Sequence, residues 1–270
     1  DLGVVGTANL SAILAAKLLI GAVPRGAPPE QALPFIILAV LLALATGLAC
    51  GAFAGLLISR FNIPAILATL GTQQLYTGIA IGITNGRPQS GLPLLYSKIG
   101  NTEFLGLFPL SFLIFLFTAL AIGLMLSRSR FGTYMYMLGT NAKAAKYAGL
   151  GNASILVRTY MLSGLLSSMA GLIMMARANS AKAEYGTPYT LQCVLIAVLG
   201  GIDPNGGFGR IAGVTLAILI LQFLSSGLNM FNNISNFYRD VIWGGVLIFV
   251  LVFNRVLSQQ AERRAVRREA

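Results

Sequence analysis

Histidine is missing from all 270 residues, cysteine occurs twice, and Asp and Glu together number 8. With no histidine and only two thiols, neither a zinc site nor a disulfide framework is expected. Cys50 and Cys193 each lie inside an apolar stretch, where a thiol behaves as a small hydrophobe. Charged residues make up 10% of the chain, against roughly a quarter in a soluble domain. No segment spells G-x-x-x-x-G-K-[ST], H-E-x-x-H or G-x-S-x-G, so nucleotide hydrolysis on a P-loop, zinc proteolysis and triad hydrolysis have no motif to stand on. The segment GGFGRIAG is spaced G-x-G-x-x-x-G, which is not a dinucleotide fingerprint; Gly209 and Gly213 instead suit a tight turn and a close helix approach.

What the chain has in excess is apolar length. Hydrophobic residues are 56% of it, in recurring runs of about 17 to 25 residues, each sufficient to cross a ~30 Å hydrocarbon core as a helix. The ~10-residue dyad alternation of a membrane barrel is absent. The fold class expected is therefore an all-α integral membrane bundle. Eight spans can be drawn, at about 4–22, 35–59, 64–84, 104–126, 154–176, 187–201, 208–229 and 239–257, with a basic tail at 258–270. The chain opens at DLGVVG without an initiator methionine or a signal peptide, from which we expect its natural beginning to lie upstream.

A net charge of +11 would suggest a nucleic-acid partner in a soluble protein, but here the cations sit in short loops and orient the spans. One set of alternate loops carries Arg60, Arg128, Arg130, Lys143, Lys146, Arg210 and the Arg-rich tail; the other carries Arg25, Arg87, Lys98, Lys182 and Arg239. The first set is assigned to the cytoplasm. A re-entrant hairpin at the sixth span would put the basic C-terminal region outside, so a true crossing is expected there. The acidic residues Glu103, Glu184, Asp203 and Asp240 are read as loop or span-end residues, which disfavours ion coupling.

Two features remain, one basic and alanine-rich, the other polar and uncharged. The cytoplasmic stretch 131–151, FGTYMYMLGTNAKAAKYAGLG, places Lys143 and Lys146 on one side of a helix and Ala142, Ala144, Ala145 and Ala148 over most of the rest, with Gly149 as a C-terminal stop. Such a helix can dock closely against another protein; the plainer alternative is a solvated linker between spans. In the third span Thr69, Thr72, Gln73 and Tyr76 share one face, and Asn9, Gln192, Gln222 and Asn229 add polar groups elsewhere. A neutral hydrogen-bonding path for a polyol or sugar would use such residues, and so would helix packing.

The succession DLGVVGTANLSA, IPAILATLGT, the stretch 129–172, AVLGGIDPNGGFGRIAGV and VLVFN resembles the membrane subunit of bacterial ATP-binding-cassette importers for ribose, other aldoses and autoinducer-2. The resemblance covers essentially the whole chain. It implies ten spans per subunit, so that two would precede Asp1, and two subunits around a central path. It also implies two cytoplasmic ATPase domains and an external solute-binding protein. In that family the cytoplasmic loop after the sixth span carries a coupling helix, and Asn141, Ala142, Ala144, Ala145, Tyr147 and Gly149 fall on its N-x-x-A-A-x-x-x-G pattern.

The expectation is thus a multi-pass permease of the bacterial inner membrane, passing a sugar-like solute inward. It is not itself an enzyme and holds no cofactor, ATP being bound by the partner subunit. Expected path residues are Thr69, Thr72, Gln73, Tyr76, Asn9 and Gln192; expected contacts to the binding protein are Arg87, Lys98 and Arg239. The alternative is an ion-coupled carrier or facilitator of a small neutral solute, which the docking helix argues against. A membrane enzyme ranks last, for want of any nucleophile, metal or acid–base constellation.

Overall fold

The structure, a computed structural model, describes residues 1–24, 27–104, 106–203, 206–230, 241–250 and 252. Its contacts group into two compact units, Asp1–Thr190 and Leu191–Ala270. The first holds α1 (Val4–Ala22), α2 (Pro29–Phe61), α3 (Ala65–Thr84), β1 (Gln89–Ser90), α4 (Leu94–Asn101), β2 (Glu103–Phe104), β3 (Phe108–Pro109), α5 (Leu110–Arg128), α6 (Arg130–Thr140), α7 (Ala142–Tyr147), α8 (Asn152–Ala178) and β4 (Ser180–Ala181). The second holds most of α9 (Tyr189–Leu199), then α10 (Ile211–Asn229) and α11 (Val241–Val250). The tail at 258–270 and the loop residues Arg25, Arg239 and Asp240 lie outside the described residues.

This is an all-α membrane protein. Among the described residues five helices, α1, α2, α5, α8 and α10, are long and apolar enough to span a bilayer. The third expected span forms as α3, 20 residues diluted by its threonines and glutamines. Local chemistry sets the ends. Pro28 and Pro29 start α2 where no amide is needed, while Asn62, Asn85 and Asn179 close α2, α3 and α8 in the left-handed conformation that asparagine tolerates. The fourth span begins at Leu110 and not at 104, because the residues before it form a short hairpin in which Glu103 pairs with Pro109.

Glycine governs the packing of the first unit. On α2, Gly47, Gly51 and Gly55 recur every fourth residue and lie against the α8 backbone. A Cβ on Gly47 would run into the Gly164 carbonyl, one on Gly51 into the Tyr160 carbonyl, and one on Gly55 would stand 2.8 Å from Val157 Cα. Gly171 of α8 meets the Ala8 carbonyl of α1 in the same way, and Gly6 of α1 would place a Cβ 2.8 Å from the Gln73 carbonyl of α3. Backbones pack directly here because lipid offers no hydrophobic drive to press larger side chains together. α1 is the central element, with Ile13, Ala15, Ala16 and Leu19 fully buried. α5 buries no residue, and presents Leu116, Phe117 and Leu120 outward. In the second unit Leu195, Leu221 and Trp243 form the core, and Gly213 abuts the Gly200 carbonyl, so the close approach expected at Gly213 is present.

The sixth span is built differently from its neighbours. Leaving α8, the chain passes through β4, which pairs with β1 (Gln89 with Ala181), and then descends along α1 in non-helical form. The Ala183 carbonyl accepts a 2.7 Å hydrogen bond from Asn9 Nδ2, and Gly186 seats against Val5. Only at Tyr189 does an 11-residue helix begin. Gly186 and Pro188 account for the delay, since neither favours helix and Pro188 also biases Thr187 toward extended backbone. Non-helical backbone at such depth is tolerated where protein buries it, as Ala183 and Gly186 are buried.

Candidate functional site

The stretch 131–151 is not one helix. Ser129 caps α6 by accepting from the Gly132 amide at 3.0 Å, and the helix runs to Thr140, where Asn141 turns the chain in extended conformation. The Asn141 side chain then accepts from the amides of Lys143 (3.1 Å) and Ala144 (3.0 Å) and starts α7. α7 ends as firmly as it begins. The Gly149 amide donates to the Lys146 carbonyl and the Leu150 amide to the Ala145 carbonyl, with Gly149 at φ +80°, a paired closure that glycine makes without strain. A further bond, Asn152 Nδ2 to the Ala142 carbonyl at 2.8 Å, ties α7 to the start of α8.

The result is a short helix fixed at both ends. Ala142, Lys143, Ala144 and Lys146 are exposed on it, and Tyr147 is 92% exposed. Ala145 is 2% exposed and faces its own chain, so of the paired alanines only Ala144 is open to a partner. A large aromatic ring held out in full exposure by a doubly capped turn is the shape of a docking knob.

The polar face of α3 forms as a stripe, turned inward. Thr69 hydroxyl donates to the carbonyls of Ala65 (2.8 Å) and Ile66 (3.2 Å), and Thr72 to that of Thr69 (3.1 Å). Tyr76 reaches across to the Cys50 carbonyl of α2 at 2.8 Å. All three side chains are buried. Gln73, half-buried at the edge of the stripe, keeps an Oε1 with no hydrogen-bond partner. Three of the four stripe residues among the six expected to line the path therefore spend their hydroxyls on packing in this conformation.

Asn9 is 1% exposed and is likewise a bracket: its amide nitrogen holds the descending segment through Ala183, while its Oδ1 has no partner. Gln192 is half-buried on α9 and belongs to the second unit, and Asn229 ends α10 there.

Two acidic residues are tied into the first unit. Asp1 accepts from Ser163 Oγ at 2.6 Å, and Ser163 lies eleven residues past the start of α8, about 16 Å along its axis. Glu184, expected in a loop, flanks the buried Ala183 at the level of Asn9, well inside the span of α1. It pairs with Lys182 at 3.2 Å. The sequence reading set Glu184 in a loop because hydropathy assigns any charged residue to a loop. The signal was present in Gly186 and Pro188, which mark a span that cannot be helical throughout.

On the opposite loops, Arg87 and Lys98 are exposed. The helix α4 that carries Lys98 is anchored by Tyr96, whose hydroxyl donates to the Leu172 carbonyl at 2.8 Å and whose phenol pKa is pushed up by burial. Gly100 lies against Ala176, so Lys98 is presented from a fixed base.

Comparison with known proteins places these features in a family. Residues 1–251 match the description "Branched-chain amino acid transport system / permease component". The chain is 33% identical over 254 residues to the ribose import permease protein RbsC of Bacillus subtilis, covering 93% of this chain and 76% of that one. It is 37% identical over 224 residues to RbsC of Escherichia coli K12, covering 81% and 69%. With the autoinducer 2 import system permease protein LsrC of Yersinia enterocolitica it shares 32% identity over 228 residues, covering 84% and 63%. No solved structure matches. The family match spans α1 through α11 and includes the capped α6–α7 turn and the glycine-seamed α2–α8 pair, and the chain belongs to the branched-chain amino acid transport system permease component family.

Proposed function

We propose that the chain is the membrane subunit of an ATP-binding-cassette importer that passes a sugar or sugar-like solute inward across the bacterial inner membrane. The observation that carries this reading is α7, an exposed, doubly capped helix between two spans on the cation-rich side, in a chain whose relatives are named as import permeases for ribose and autoinducer 2. A separate ATPase binds ATP and docks on Ala144, Tyr147 and the neighbouring lysines. Closure of that ATPase moves α7 as a rigid lever, and its bond to α8 through Asn152 carries the movement into the spans. A second permease subunit completes the path. A solute-binding protein delivers the solute from outside.

The test is purification of the full-length protein from its native host in mild detergent. An ATPase subunit is expected to co-purify with it, and to be lost from Tyr147→Glu, which puts a charge where the aromatic ring docks. Recovery without any ATPase in the unmodified protein would contradict the assignment and favour a stand-alone carrier.

The outer surface yields a second expectation. Arg87 and Lys98 are exposed cations suited to pairing with acidic groups on the rim of a binding protein. Reversing both charges (R87E with K98E) is expected to weaken the complex about tenfold at low salt, with the difference shrinking as ionic strength screens it. Equal affinity of both forms at low salt would remove these residues from the interface. Arg239, expected to join them, lies outside the described residues.

A further inference from the structure

We infer that the exposed side of the descending segment 182–189 forms a water-lined wall of the translocation path, where the Lys182–Glu184 pair and the rings of Tyr185 and Tyr189 meet a neutral polyhydroxylated solute. The inference rests on the reading of the chain as a permease, and adds to it the site and the chemistry of selection.

Depth is the first support. Asn9 is the sixth residue of α1, thirteen residues short of Ala22, so Ala183, bonded to its side chain, lies about 20 Å along the helix from that end. Measured along α8, whose Gly171 meets the neighbouring Ala8, the same level lies seven residues, about 10 Å, from the outer end at Ala178, so the bond sits about 10–20 Å below the outer helix ends, within a hydrocarbon core of about 30 Å. Gly186 lies lower still, beside Val5.

Exposure is the second. The segment is two-sided, a run of turns in which Ala183 and Gly186, three residues apart, are buried against α1, while Glu184, Tyr185, Thr187 and Tyr189 are exposed and Lys182 is half-exposed. The side chains of Lys182 and Glu184 remain 38% and 58% exposed. Charges at this depth are stable when paired within protein or when bathed by water, and these two pair with each other while keeping an open side.

Chemistry is the third. A carboxylate accepts from solute hydroxyls, an ammonium group donates to them, and a tyrosine ring covers the C–H face of a sugar. Because the two charges are 3.2 Å apart the wall is neutral as a whole, which admits uncharged solutes and gives no net attraction to ions. The side of this segment facing α1 is held by Asn9, so the wall is positioned by buried protein and not by the solute.

The experiment uses the permease assembled with its ATPase in vesicles, with Cys50 and Cys193 replaced by alanine. Thr187→Cys is treated from outside with an anionic and, separately, a cationic methanethiosulfonate reagent. Lys98→Cys serves as an external control and Ala183→Cys as a buried one, and only variants that retain the ATPase are compared. The expected result is that T187C reacts with both reagents, K98C reacts with both, and A183C with neither. Adding Glu184→Gln, which leaves Lys182 unpaired, is expected to shift the anionic-to-cationic rate ratio at T187C several-fold upward, because a nearby unit charge speeds one reagent and slows the other. Lys182→Gln is expected to shift it equally downward. An inert T187C beside a reactive K98C would show the segment sealed from water and overturn the inference; so would a rate ratio indifferent to both charge removals. Labelling needs no transported solute, so this failure is distinct from failure of the transport reading, which ATP-driven uptake measures by itself.

Discussion

Gly51→Ala is expected to abolish accumulation of folded protein in the membrane. The added methyl group would collide with the Tyr160 carbonyl and stand 2.9 Å from Met161 Cα, both on the backbone of α8, where no rotamer change can make room. The two helices would have to separate along the seam that also includes Gly47, Gly55 and Gly164. Overpacking of this kind costs on the order of 3 kcal/mol, a large part of a typical stability of about 5–15 kcal/mol. Gly21→Ala is the matched control, since a Cβ there meets nothing within 4 Å and alanine is the better helix former by up to about 1 kcal/mol. Yield after detergent extraction, with melting followed by size-exclusion chromatography, separates the two. Equal melting of both variants would mean that the seam is not the main contact of the bundle.

Ala144→Trp is expected to leave the protein folded and inserted, and to remove at least nine-tenths of solute-stimulated ATP hydrolysis in the assembled transporter. Ala144 lies on the exposed side of α7, so an indole there has room in the isolated subunit and none against a close-fitting partner. Tyr147→Ala acts on the same contact from the other direction, by deleting an anchor that is almost entirely exposed in the chain alone; losses of about 2 kcal/mol or more are typical of such anchors. Ala145→Trp distinguishes docking from folding. Ala145 is buried against its own chain, so tryptophan there is expected to lower the yield of folded protein before coupling can be measured. A fully stimulated Ala144→Trp transporter would mean that the ATPase does not seat on this helix.

Hydropathy was enough to read the class of protein and the places of most helices, because a bilayer imposes length and polarity on each span separately. Gly149 was legible as a stop for the same reason: its role depends only on the residues beside it. What the sequence hid were properties of pairs. Thr69, Thr72 and Tyr76 share a face in any helix, but whether that face meets water or α1 and α2 is settled by Gly3 and Gly6, which let α1 approach closely. Glu184 looked like a loop residue because a window average cannot distinguish a loop outside the membrane from a run of turns held against α1 by Asn9. The Gly47, Gly51 and Gly55 series was visible as a four-residue repeat, and a search for small residues at that spacing in every span would have found the α2–α8 seam.

The most direct measurement of the central claim is solute uptake into vesicles that contain the full-length permease and its ATPase, with the binding protein outside and ATP trapped inside. Radiolabelled D-ribose and labelled autoinducer 2 serve as the first probes, after the solutes named for the relatives. Uptake is expected to need ATP and the binding protein, to disappear with Ala144→Trp, and to be unchanged when proton and sodium gradients are collapsed. Uptake that proceeds without ATP and follows an imposed ion gradient would contradict that claim, and would make the chain an ion-coupled carrier.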